Sequence, residues 1–286
     1  MKNGLFACLV CLWSASGAEP VTMPSGAGSF PFTRAGKTIN VWYYVPGHVT
    51  RETPVQIVMH GVKRDAERYR NDWQRHAQEH GFILVAPEFS EALFPGSDNY
   101  NLGGIMDGKG RRMAAEKGAF SFIAPLFEAV KQATGSRTPK FNLFGHSAGA
   151  QFVHRYLLFM PDAPVKAAVA ANAGWWTMPD LSVRFPYGLQ DSPLDETGLK
   201  AALQRPLIIL LGTLDTDPNH PELRRTPEAM AQGPHRWARG HKFFEEAQAR
   251  ARSFGIPLTW RLEAASGVAH EDKGMADFAV RLLYGK

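Results

Sequence analysis

Short apolar runs, each closed by glycine or proline, alternate along most of the chain with longer segments of mixed polarity. Thr38 to Val45 is β-branched and aromatic and stops at Pro46, while Val55 to Met59 is a nearly continuous apolar run leading into His60-Gly61. Phe82 to Ala86, Phe141 to Phe144, Val165 to Ala171, Pro206 to Leu211 and Leu258 to Leu262 repeat the pattern. Runs of this length, bounded by breakers, predict buried strands. Between them lie helix-favouring segments: Asp65 to His80 before Gly81, Ala114 to Thr134 before Gly135, Ala148 to Phe159 before Pro161, Lys242 to Ser253, and Met275 to Leu283. Glycine after the last periodic residue is the usual helix stop. Strand-helix alternation of this kind predicts the α/β class, a mostly parallel central sheet with helices on both faces. Ligands of such sheets sit at the carboxyl ends of the strands.

Three stretches break the rhythm. Residues 19 to 36, rich in glycine, proline and serine, read as a loose leader. Ser90 to Arg112 is long, glycine-rich and unpatterned, and Trp175 to Leu203 follows a strand and carries several aromatic residues. Both of the latter follow strand ends, where long loops tend to be functional. They are expected to wall a binding site, with Trp175, Trp176 and Tyr100 as substrate contacts.

The N-terminus adds a destination. Lys2, the short apolar run Leu5 to Trp13 and Ser16-Gly17-Ala18 have the order of a secretory signal peptide cleaved after Ala18. The partition expected is therefore a signal peptide over 1–18, a leader over 19–36 and a single catalytic domain over 37–286, with the product secreted or periplasmic. Cys8 and Cys11 both fall in the signal, so neither a disulfide nor a thiol nucleophile is expected in the mature protein. No later segment has the length and apolarity of an integral membrane helix. The formal charge of +5 is spread over scattered basic residues, which favours acidic partners but does not make a nucleic-acid footprint. Asp217-Pro218-Asn219-His220 lacks a second ligand cluster, and His235, His241 and Glu245 read as a solvated helix face, so neither a metal nor a cofactor is expected.

The candidate chemistry sits at strand ends. Gly145-His146-Ser147-Ala148-Gly149 has the form G-x-S-x-G, with a buried strand before it and a helix directly after. That context predicts a tight, strained turn that lifts Ser147 out of the sheet as a nucleophile. Asp215 follows the Leu207 to Leu211 strand, and His270 lies in a loop before the last helix. The order serine, acid, histidine suits a triad in which His270 takes the serine proton and Asp215 orients the imidazole. Asp217, two residues further on and directly before Pro218, reads instead as a turn starter. The oxyanion donors expected are the amides of Ala148 and of Val62, the latter in the loop after the Val55 to Met59 strand.

With these residues in place, the chain resembles the α/β-hydrolase superfamily from about residue 38 to its C-terminus. Within it, the likeness is to exported esterases grouped with poly(3-hydroxybutyrate) depolymerases and feruloyl esterases. It departs from their frequent Gly-x-Ser-x-Gly-Gly at Ala150. The resemblance implies hydrolysis of a carboxylic ester, small or polymeric, through an acyl-enzyme. A serine peptidase or an acyltransferase would use the same residues, and a non-catalytic binding protein could keep the same fold.

Overall fold

The computed structural model describes residues 21–107 and 109–285. The signal segment expected over 1–18, with Cys8 and Cys11, lies outside them. Eight strands form one sheet: β1 Gly26–Arg34, β2 Lys37–Val45, β3 Val55–Met59, β4 Ile83–Pro87, β5 Phe141–His146, β6 Val165–Ala171, β7 Leu207–Gly212 and β8 Arg261–Ala265. Their spatial order is β1-β2-β4-β3-β5-β6-β7-β8; β2 runs antiparallel to both its neighbours, and every pairing from β4 to β8 is parallel. The helices are α1 Ala66–His80, α2 Gly96–Asn99, α3 Ile123–Thr134, α4 Ala148–Phe159, α5 Glu196–Leu203, α6 Pro227–Ala231, α7 Arg236–Phe254 and α8 Asp272–Tyr284. Among the described residues no helix is long and apolar enough to cross a membrane.

β3, β4 and β5 are buried at every position, which is why they read as apolar runs without alternation. α1 and α8 cover one face through Trp73, Phe82, Phe144 and Met275. The larger core lies on the other face, under α3, α4, α5 and α7. α1 and α3 end at Gly81 and Gly135, each in the left-handed conformation, as their sequence stops predict.

Four expectations are corrected. Residues 26–34 of the presumed leader are an edge strand, paired with β2 in continuous register from Gly26–Val45 to Arg34–Lys37. Its two glycines and Pro31 hid a two-residue burial period. The segment expected as one helix from Ala114 begins as two 3-10 turns, Ala115–Lys117 and Ala119–Phe122, and becomes α-helical only at Ile123. The loop expected over Trp175 to Leu203 contains α5. The last strand starts three residues late, at Arg261, because Leu258 and Trp260 pack as loop anchors, with the Trp260 indole donating to the Ala202 carbonyl.

The parallel strands all point their carboxyl ends the same way. The turns after β3, β5, β6 and β7, and the loop after β8, consequently converge on one edge.

Candidate active site

β5 ends at His146 and α4 begins at Ala148, so Ser147 alone makes the turn, with φ 58° and ψ −115°. Such a conformation costs a non-glycine residue on the order of 1–3 kcal/mol and persists only where neighbours over-determine it. They do so here: the Ser147 amide donates to the Ala171 carbonyl at 3.0 Å, and its carbonyl accepts from Gln151. A Cβ on Gly145 would fall on the Gly149 carbonyl, and one on Gly149 would fall on the Met59 carbonyl. Both flanking glycines are therefore demanded by close backbone approach.

The turn brings Ser147 within hydrogen-bond reach of His270. His270 Nε2 lies 3.1 Å from Ser147 Oγ, and His270 Nδ1 lies 2.8 Å from Asp215 Oδ2. Asp215 is buried, and its other oxygen, Oδ1, accepts from Arg236 Nη1 at 3.3 Å. Asp217 stays exposed and accepts from the Asn219 amide at 2.8 Å, the Asx turn expected of it. The His270 ring is flanked by two others, His146 at 4.6 Å and His220 at 5.1 Å between centroids. Burial, then the charges of His270 and Arg236, hold the His146 pKa well below the usual histidine range. At His220, burial and then Arg236 act in the same direction. Both neighbours are thus kept neutral, and neither adds a cation beside His270.

Val62 and Ala148 line the same cavity as Ser147. Among the described residues neither backbone amide donates to a backbone carbonyl, as donors awaiting an oxyanion require. The Val62 loop is held from behind. The Tyr100 hydroxyl donates to the His60 carbonyl at 2.7 Å, and the two rings stack 4.6 Å apart. His60 Nε2 accepts from the Phe89 amide at 3.1 Å, so the proton sits on Nδ1 and is donated to the Gly61 carbonyl. Burial lowers the His60 pKa to about 4, which keeps this arrangement neutral.

Two of the three expected substrate contacts are corrected. Tyr100 is 0% exposed and supports the His60 loop, so it does not face substrate. Trp176 is also 0% exposed; its ring stacks on Phe243 at 4.4 Å and its backbone is held by the Gln232 side chain. Trp175 does line the cavity, a hollow of about 290 Å³ with Ser147, Gln151, Gly174, Glu222 and Arg224 also in its walls. The pair lies four and five residues past the end of β6, and only Trp175 of the two lines the cavity.

Several residues hold the site without a signal in the chain. Asn172, at φ 51°, donates to the Ala269 carbonyl at 3.0 Å and accepts from the Gly212 amide at 2.8 Å, joining the ends of β6 and β7 to the His270 loop. Arg239 donates to the carbonyls of Gly174 and Arg224, at 2.5 and 2.9 Å, pinning both sides of the cavity wall. Only an asparagine at a strand end would have hinted at a left-handed turn; the arginines look like any others on a helix. As for metals, His76, Glu79 and His80 on α1 offer ligand atoms within 4.8 Å of one another, in a hollow that Ser147 does not line. His235 caps α7, accepting from the Ala238 amide at 3.3 Å.

No protein-family model matches the chain, and no curated protein matches it. Among solved structures, poly(aspartic acid) hydrolase-1 from Sphingomonas sp. KT-1 is 48% identical with a TM-score of 0.90, over 92% of this chain and 100% of that one. LpqC, a poly(3-hydroxybutyrate) depolymerase from Bordetella parapertussis, is 34% identical with a TM-score of 0.87, over 92% of this chain and 91% of that one. FphF, a fluorophosphonate-binding serine hydrolase of Staphylococcus aureus, shares the fold at 15% identity and a TM-score of 0.58, over 91% of this chain and 97% of that one.

Proposed function

The chain belongs to the α/β-hydrolase superfamily and is a hydrolase; from that premise we propose that it is of the serine type and cleaves carboxylic esters through an acyl-enzyme on Ser147. The observation that carries this reading is the relay of 3.1 Å from Ser147 Oγ to His270 Nε2 and 2.8 Å from His270 Nδ1 to Asp215. Serine is a weak nucleophile until a base takes its proton. His270 accepts it as Oγ attacks the acyl carbon, and Asp215 stabilises the imidazolium that forms. The tetrahedral oxyanion is received by the amides of Val62 and Ala148, aided by the positive end of α4. His270 then protonates the leaving alcohol, and water repeats the sequence to release the acid.

A second reading has one observation in its favour, the 48% identity to a poly(aspartic acid) hydrolase. That polymer is joined by amides and carries a carboxylate on every unit, whereas poly(3-hydroxybutyrate) is an uncharged polyester. Ester and amide cleavage share the acyl-enzyme and differ in the leaving group that His270 must protonate.

A fluorophosphonate probe should label the parent and not Ser147→Ala, with hydrolysis of p-nitrophenyl esters lost in parallel. Labelling that survives in Ser147→Ala would sink the assignment. Incubation with poly(3-hydroxybutyrate) and with poly(aspartic acid), followed by chromatography of the products, separates the two readings. Export rests on the pattern of residues 1–18 and is tested by N-terminal sequencing, which should begin at Glu19-Pro20.

A further inference from the structure

Arg155 lies wholly inside the protein on α4, four residues beyond Gln151 and eight beyond Ser147. Its Nε donates to Thr177 Oγ1 at 2.7 Å, and its Nη1 donates to the Asn101 and Gln151 carbonyls at 3.2 Å each. Its Nη2 is buried without a hydrogen-bond partner among the described residues. The charged or phenolic groups that bear on it are Arg224 and Tyr187; no carboxylate does. A buried guanidinium without a counter-charge is costly, because burial opposes ionisation and arginine does not give up its proton. This one is left facing a second cation. The guanidinium carbons of Arg155 and Arg224 both lie over the Trp175 ring, 4.1 and 4.9 Å from its centroid.

The same cluster aims a neutral donor. Gln151 accepts at Oε1 from Asn101 Nδ2 at 2.8 Å and, more loosely, from Arg155 Nη1 at 3.5 Å. Arginine only donates, so the atom facing it must be the oxygen. The Gln151 amide nitrogen is thereby turned toward Gly174, where a Cβ would stand 3.0 Å from it, on the wall of the cavity that Ser147 lines. Arg224 forms another part of that wall. Its side chain is exposed, while its backbone is pinned by Arg239. Glu222, the acid in the same cavity, bears on Arg236 and His220 at the triad side and not on Arg155.

We propose that Arg224, Gln151 and Trp175 form a carboxylate-binding subsite beside the nucleophile, with Arg155 as the buried source of its positive potential. The substrate then carries a free carboxylate a few bonds from the scissile carbonyl, an acidic polymer unit or a half-ester of a diacid. Its carboxylate takes hydrogen bonds from the Arg224 guanidinium and the Gln151 amide and supplies the counter-charge that the two arginines lack. This rests on Ser147 being the nucleophile and adds which acyl chains reach it.

The test compares kcat/KM for the mono-p-nitrophenyl ester of succinic acid with that for p-nitrophenyl butyrate, which lacks the carboxylate. The parent should favour the succinate by at least about tenfold, the scale of one charge-assisted hydrogen bond. Arg224→Gln should bring the ratio toward one, Arg224→Lys should keep part of it, and Arg225→Gln, an exposed neighbour outside the cavity, should leave it alone. A ratio near one in the parent, or one unchanged in Arg224→Gln, overturns the subsite. Should Arg224→Gln fail to fold, the parent decides: selectivity that falls as sodium chloride is raised supports the subsite, and selectivity indifferent to salt overturns it. Calorimetric titration with succinate separates this proposal from the one beneath it. Succinate binding that is lost in Arg224→Gln, in a protein that hydrolyses neither ester, keeps the subsite and sinks the esterase. Equal turnover of both esters does the reverse.

Discussion

The two sides of the cleft around Ser147 are built on different terms. On the histidine side, Asp215 spends one carboxylate oxygen on His270 and the other on Arg236, and Asn172 ties the His270 loop to the ends of two strands. On the tryptophan side, the backbone is pinned by Arg239, but Arg224 is exposed. Groups that must hold a reacting geometry to within tenths of an ångström are locked through backbone carbonyls and strand ends. On the other wall Gln151 and Trp175 are held in place by their neighbours, and Arg224 alone presents an exposed side chain on a pinned backbone. On the readings proposed above, rate and choice fall on opposite walls.

The largest effect should come from the residue both walls serve. Ser147→Ala should lower ester turnover at least about a thousandfold while leaving the melting temperature close to the parent's, as read by initial rates and calorimetry. Activity within about tenfold of the parent would remove the basis of the comparison.

Next, Asp215→Asn should cost roughly a thousandfold in kcat, since the amide can favour the wrong histidine tautomer. Asp217→Asn, which changes only an exposed turn, should leave kcat essentially intact. A dead, folded Asp217→Asn beside an active Asp215→Asn would reverse the assignment.

The neighbouring tryptophans sharpen the contrast within two residues. Trp176→Ala should lower stability by about 3–5 kcal/mol, the usual cost of deleting a fully buried indole, and act on rates only through the folded fraction. Trp175→Ala should also cost stability, since its ring is buried beside Leu102 and Tyr187, but should in addition raise KM roughly tenfold, as loss of one cavity contact does. Denaturant melts and Michaelis plots on the same preparations distinguish the two.

The effect furthest from the chemistry itself is on acid stability. The folded pKa of His60 is lowered to about 4 from an ordinary 6.5, so the unfolded chain takes up its proton first as pH falls. Stability is then fully present above about pH 6.5 and is lost as pH drops toward 4, by on the order of 3 kcal/mol from this group alone. The buried His146 and His154, both also lowered, act in the same sense. Melting temperatures that stay level from pH 7 down to pH 4 would contradict it.

What could be read from the chain alone follows the same division. β6 and α4 were legible with their ends, and the nucleophile turn with its glycines, because backbone sterics leave few residue types that fit. The order of Ser147, Asp215 and His270 was legible because each stands just past a strand. Tyr100 and Trp176 were misjudged because an aromatic residue in a long loop looks the same whether it faces a cavity or a core. Arg155, Arg236 and Arg239 were silent: on helices they resemble solvated charges, and only tertiary packing shows what each one holds. The first strand was lost for a different reason, since Gly26, Gly28 and Pro31 dilute its alternation with residues that usually mark turns.

That first strand closes the sheet, and its composition governs how one molecule meets another. An open strand edge is a template on which a second chain can extend the sheet into a growing aggregate. Proline has no N–H, so Pro31 interrupts the row of donors that such a template needs, midway along the nine residues of β1. At the opposite edge, β8 carries Arg261 and Glu263, an ion pair at 3.8 Å that a stacked strand would have to desolvate. Both margins are guarded, one by a missing donor and one by charge, so crowded molecules have no ready way to seed fibrils on each other's sheets.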